Sequence, residues 1–281
     1  MEQAQRKPIS KSQSRRLDRK KVLGDPVLMA MILILVIFVS LFIVYPLMML
    51  LYEAFYTADD GVTIKILDST LNMAVFRNAF TNTVRLGIIT GFTSVIVGLL
   101  FAYIDVYVRL KRRFLRGMFK VVATMPVVSP PFVLSLSIIL LFGRTGLITR
   151  NLLHLRTSNI YGLIGLIIVQ TLTYFPVCYL SFKGLLKNID PSIEEAARDI
   201  GASRMKVFRS ITLPLMLPGI GNAFLVTFIE SIADFANPMI IGGDYDTLAT
   251  TIYLQITGSL NKNVASAMAL ILLALTMALF M

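Results

Sequence analysis

Apolar and polar positions alternate along this chain in long blocks, not in the short periods of a water-soluble domain. Apolar runs at Val27–Leu51, Phe80–Val108, Met118–Phe142, Ile160–Phe182, Gly219–Ile241 and Val264–Met281 are separated by polar stretches. Each run is near the ~20 residues that carry an α-helix across ~30 Å of hydrocarbon, so the pattern predicts an all-α chain with six transmembrane helices. A cleaved signal peptide has a short apolar core followed by small residues. The first run is long enough to span and reads as an anchor that stays.

The polar stretch between the fourth and fifth runs, Asp190–Pro218, is itself helix-forming. Asp190 followed by Pro191 predicts a helix start, because Asp caps a backbone N–H and proline at the first helical position misses no donor. Glu194, Glu195 and Asp199 lie toward the positive end of that helix, which favours them. Gly201 predicts its stop through a left-handed residue. Ser203 is placed to cap a second helix, Arg204–Ile211, with Leu213, Pro214 and Pro218 marking the return to the membrane. The expectation is a helical hairpin outside the hydrocarbon, with Ala196 and Ala197 small enough for a partner to approach closely. An amphipathic helix lying on lipid headgroups is the alternative. The four acidic residues of the stretch argue against it.

Composition agrees with the membrane reading: 56% of the 281 residues are hydrophobic and 15% charged, with a mean hydropathy of +0.75. The formal net charge of +11 would point to nucleic acid in a soluble domain. Here it points to orientation, because 20 of the 27 Lys and Arg fall in three places: eight in Met1–Pro26, six in 109–120 and six in 183–218. The positive-inside rule puts these stretches and both termini in the cytosol, with 1–26 as a basic tail and 53–79, 143–159 and 242–263 outside. Lone Cys178 and lone His154 exclude a disulfide framework and a thiolate or His-rich metal site. No phosphate loop, Ser/His/Asp arrangement or metal-binding helix motif occurs, so the chain reads as no enzyme.

The residues of the hairpin resemble those of a known family. Glu195, Ala196, Ala197, then Gly201, then Ile211, Leu213 and Pro214 fit at every position the EAA loop of ABC importer permeases, here within 183–218. The stretches LLFGRTGLITR and FIESIADFANPMIIGGDYDTLATTIYLQITG are similar to ferric-iron importer permeases, so that the resemblance covers about 27–281. The resemblance implies a permease domain over 27–281 in a bacterial cytoplasmic (inner) membrane, coupled through the loop to nucleotide-binding ATPase subunits. ATP and magnesium would sit on those subunits, and this chain would hold no cofactor. A substrate-binding protein would deliver the cargo, ferric iron or another substrate such as a phosphonate, sugar phosphate or polyamine. A second permease half would complete the path. The last apolar run stops at Met281 with no basic stop, as expected if the chain is the first half of a fused pair. A secondary transporter is the rival reading, and would usually show inverted repeats.

Thr227, Glu230, Ser231, Asp234 and Asn237 form the expected polar stripe of the fifth span, at helical spacing. A mid-membrane carboxylate costs ~2.5–3.5 kcal/mol on insertion scales, so these residues should face protein or water. They are candidates for the translocation path, or for pairing with Arg85. Gly87, Gly91 and Gly98 predict close helix packing in the second span. Pro126, Pro130 and Pro131 predict a broken third span. Asp105 is expected in an ion pair with Arg109 or Arg112, and Cys178 in the core.

Overall fold

The structure, a computed structural model, describes residues 25–57, 61–108, 112–154 and 159–280. Most of the basic tail (residues 1–24), Arg109 and Met281 lie outside them. In chain order the elements are α1 (Pro26–Val39), α2 (Tyr45–Phe55), β1 (Tyr56–Thr57), β2 (Gly61–Val62), α3 (Lys65–Asn72), α4 (Ala74–Tyr107), α5 (Arg113–Val128) and α6 (Pro131–Phe142). They continue with α7 (Leu163–Asn188), α8 (Pro191–Asp199), α9 (Arg204–Val207), α10 (Leu213–Ala233), α11 (Ala236–Ile241), α12 (Leu248–Thr257) and α13 (Lys262–Phe280). Among the described residues, five continuous helices are long and apolar enough to cross a membrane: Pro26–Phe55, Ala74–Tyr107, Leu163–Asn188, Arg204–Ala233 and Lys262–Phe280. The bent pair α5 and α6 makes a sixth. The chain is an all-α, multi-pass membrane protein whose one sheet is the short β1–β2 pair among the described residues.

Two spans absorb a proline in the same way. A π-turn at Ser40–Val44 precedes Pro46, and another at Phe208–Thr212 precedes Pro214. Proline lacks an N–H and crowds the carbonyl one turn back, and the widened π-turn relieves both problems without ending the helix. The hairpin's second helix therefore does not stop near Ile211. It runs on as the membrane span, and Leu213 and Pro214 lie inside it. The third span does break, between Ser129 and Pro131, with α5 and α6 bent by 115°. The expected outer loops carry regular structure too: β1 pairs with β2, α3 follows, and α12 lies before α13.

The centre of the bundle is α4 against α7 and α10. Val95 and Ala102 of α4 pack with Cys178, Tyr179, Phe182 and Leu186 of α7 and with Met216 and Ala223 of α10. The glycines of α4 make this possible. A Cβ at Gly87 would lie 2.7 Å from Ile232, one at Gly91 2.7 Å from Phe224, and one at Gly98 2.5 Å from the Cβ of Cys178. Without a hydrophobic drive between helices in lipid, such backbone approach is what gives van der Waals contact. The first span is different: the apolar part of Pro26–Phe55 buries nothing. It joins the bundle at its far end, where Ala54 meets Ile66 of α3 and Ala267 of α13.

Candidate functional site

The hairpin at one end of the bundle is built by its caps. Asp190 Oδ1 accepts the Ser192 N–H at 2.9 Å and starts α8. That N–H, with a further hydrogen bond from the Ser192 side chain, holds the Asp190 carboxyl below its ordinary range. Gly201 has φ +88° with open space around its missing side chain, so the backbone alone demands glycine there. Its N–H donates to the Arg198 carbonyl at 2.8 Å, and the Ala202 N–H to Ala197 at 3.0 Å, closing the helix end. Ser203 Oγ then accepts the Lys206 N–H at 3.3 Å to start α9. Of the motif residues, Glu195, Ala196, Gly201 and Pro214 are exposed, while Ala197, Ile211 and Leu213 are half-buried. Ile193, Met205 and, at 87% exposure, Ile200 add apolar surface around the turn.

Sequence reasoning treated Glu194 only as an acid at a helix start. In the structure it is buried. Its Oε1 accepts hydrogen bonds from Tyr107 Oη at 2.5 Å and Thr212 Oγ1 at 2.8 Å, and its Oε2 faces Arg198 at 3.4 Å. Tyr107 is 87 positions away, so no local pattern announces the pairing. Asp105 does sit in an ion pair, but among the described residues, which include Arg112 and not Arg109, its partner is Lys183 Nζ of α7 at 2.7 Å. Tyr179 Oη bridges the two, donating to Asp105 at 3.0 Å and accepting from Lys183 at 3.1 Å.

The five polar positions near the other end are not one stripe on one helix. The span stops at Ala233, and Asp234 adopts an extended conformation before α11 begins. Asp234 Oδ1 accepts the Asn237 N–H at 3.1 Å, and Oδ2 accepts from Asn237 Nδ2 at 2.7 Å and Gln170 Nε2 at 2.9 Å. Gln170 Oε1 accepts in turn from Ser231 at 2.6 Å and Thr90 at 3.0 Å, and Asn237 Oδ1 accepts from Ser135 at 2.7 Å. Thr227 returns its hydroxyl to the Ala223 carbonyl at 2.8 Å. Thr227, Ser231, Asp234 and Asn237 are all buried. Glu230 is exposed, its side chain outside this network. Among the described residues no ion pair joins Arg85 to Glu230 or Asp234. A helix broken inside hydrocarbon must satisfy its freed backbone and polar groups from neighbours, and the polar residues of α4, α6 and α7 do so here.

A putative ferric transport system permease protein of Haemophilus influenzae is 34% identical over 266 residues, covering 93% of this chain and 42% of its own length. A ferric transport system permease protein of Actinobacillus pleuropneumoniae is 33% identical over 266 residues, again 93% of this chain and 38% of its own. The chain thus spans about two fifths of the length of these relatives. Among solved structures, a bacterial ABC transporter involved in importing the acidic polysaccharide alginate superposes with a TM-score of 0.77 at 18% identity, covering 94% of this chain and 95% of that one. That likeness shows a shared fold. Residues 94–281 match the family of binding-protein-dependent transport system inner membrane components, and the chain belongs to that family.

Proposed function

We propose that the chain is the membrane-spanning part of an ATP-driven importer, that its hairpin docks a separate nucleotide-binding ATPase, and that its cargo is ferric iron brought by a substrate-binding protein. The exposed hairpin carries the reading. Glu195, Ala196 and Gly201 lie open around a turn whose Ile193, Ile200 and Met205 are also uncovered, a surface that a soluble protein can bury. The two ferric permease relatives support iron as cargo. A second permease half, fused or separate, completes the path.

In this reading the hairpin end is cytosolic and the membrane is the bacterial cytoplasmic one. ATP and magnesium bind the ATPase. Its closure moves the hairpin, and the spans change access from one side to the other. Coupling of this kind requires the hairpin to bind the two ATPase states with different free energies. Glu230, the carboxylate left exposed on α10, faces the path. Ser231, Asp234 and Asn237 hold the adjoining break in shape, while Thr227 bonds within its own helix. The test is uptake of radiolabelled ferric iron by Glu195→Lys and Gly201→Asp variants. Both are expected to insert normally and transport nothing, and normal uptake by either removes the coupling role.

A further inference from the structure

We infer that Glu194 is the positioning residue that transmits movement of the hairpin to the membrane spans, a role that rests on the docking reading above. Three observations converge on it. First, Glu194 is the one buried residue of α8, while the apolar Ile193 is exposed. The deepest anchor of the first arm of the hairpin is therefore a carboxylate, with Ala197 half-buried beside it. Second, the groups on that carboxylate come from different parts of the bundle. Tyr107 is the last residue of α4, Thr212 lies in the π-turn that leads into α10, and Arg198 is on α8 itself. Third, a cleft of about 610 Å³ opens between the end of α4 and the hairpin, lined by Tyr103, Val106, Arg198, Arg204 and Phe208 among others. Across it, Phe208 meets Tyr103 edge-on at 5.1 Å, but α8 reaches α4 through the Glu194 hydrogen bond to Tyr107.

Apolar contacts are non-directional and let surfaces slide. Hydrogen bonds to a charged acceptor are directional and about twice as strong as neutral ones. A carboxylate bonded to two spans at once makes a push on α8 a push on both α4 and α10. The docking surface at Glu195, Ala196 and Gly201 is separate from this node, so the two roles can be broken one at a time.

The experiment uses the permease with its ATPase and binding protein in lipid discs, with ferric iron as cargo probe. It compares Glu194→Ala, Glu194→Gln and Tyr107→Phe. For Glu194→Ala we expect the ATPase subunit to remain bound, stimulation of ATP hydrolysis by loaded binding protein to vanish, and iron moved per ATP to fall about tenfold, the scale of losing an acceptor for buried donors. Tyr107→Phe should show a weaker form of the same defect, and Glu194→Gln, which keeps an accepting oxygen, should largely restore coupling. Normal stimulation in both Glu194→Ala and Tyr107→Phe overturns the inference, and so does loss of the ATPase subunit from both. If Glu194→Ala fails to accumulate, Tyr107→Phe decides alone. Gly201→Asp, run alongside, separates the premises: retained ATPase binding and transport there would remove the docking reading, whatever Glu194 does.

Discussion

Gln170 Nε2 of α7 donates to Asp234 Oδ2 at 2.9 Å at the point where α10 stops, so one side chain joins the interior of one span to the end of another. The Gln170 carbonyl oxygen accepts from Ser231 and Thr90, which brings α4 into the same node. Removing the carboxylate would strand the Gln170 and Asn237 donors in a buried site. The cost of a stranded buried donor is ~1–3 kcal/mol in soluble proteins, and interhelical hydrogen bonds in membranes average ~0.6 kcal/mol.

The first prediction is a contrast between two carboxylates that the sequence placed together. Asp234→Ala should lower the thermal midpoint of the detergent-purified protein, by an amount equivalent to ~1–3 kcal/mol, and reduce its accumulation in the membrane. Glu230→Gln should leave stability within ~0.5 kcal/mol, as exposed substitutions do, yet lower iron uptake. Equal destabilisation by the two would show that Glu230 belongs to the structural network after all.

How far the sequence could be read follows from the range of each interaction. Run length shows the six spans, because hydrocarbon thickness is a one-dimensional constraint. Asp190, Gly201 and Ser203 are legible as caps because each acts on backbone within a few residues of itself. Gly98 was readable as a packing position, though not that Cys178 and Tyr179 are what it packs on. The misplacements share another cause. Helical spacing puts Glu230 and Asp234 on one face only if the helix continues, and a buried network supplied by Ser135, Gln170 and Asn237 ends it. Tyr107 with Glu194 and Lys183 with Asp105 are likewise pairings between spans, settled by packing and invisible to spacing.

Gly98 and Gly117 both lie inside helices, but only one faces a neighbour. At Gly98 a methyl group would sit 2.5 Å from Cys178 Cβ, 2.9 Å from the Tyr179 nitrogen and 3.0 Å from the Phe175 oxygen, so the backbone of α7 would have to move. At Gly117 nothing lies within 4 Å. Gly98→Ala should therefore destabilise by ~1–3 kcal/mol, the range for overpacking. Gly117→Ala should be neutral or stabilising by ~0.5–1 kcal/mol through helix propensity. Thermal unfolding of both variants in one detergent is the measurement, and a benign Gly98→Ala would mean that α4 and α7 are not in such close contact.

The pair Lys183 and Asp105, with side chains 23% and 10% exposed, is shielded enough that breaking one side costs more than removing both. A lone charge left in such a place is not compensated, whereas two neutral groups of similar shape are tolerated. Lys183→Met and Asp105→Asn should each destabilise by ~1–3 kcal/mol, and the double variant should be more stable than the sum of the two predicts. A double-mutant cycle on thermal unfolding reads the coupling directly. Strict additivity would show that the two charges do not interact.

Asp190 gives the hairpin a pH dependence whose sign is fixed by its cap. The Ser192 N–H lowers the Asp190 carboxyl below its ordinary 3.8, so the folded state favours the ionised form more than the unfolded chain does. The stabilisation is then complete above that ordinary value and disappears as the pH falls through the lowered one. Asp190→Asn keeps a capping oxygen without the charge and should be insensitive over the same window, while Asp190→Ala removes the cap at every pH. Hydrogen exchange of the amides in 192–199 would measure this. At neutral pH the expected order of protection is Asp190, then the Asn variant, then the Ala variant, with the gap between the first two closing on acidification. A gap that widens as pH falls would mean that the Asp190 carboxylate opposes α8, and the hairpin would need another origin for its first turn.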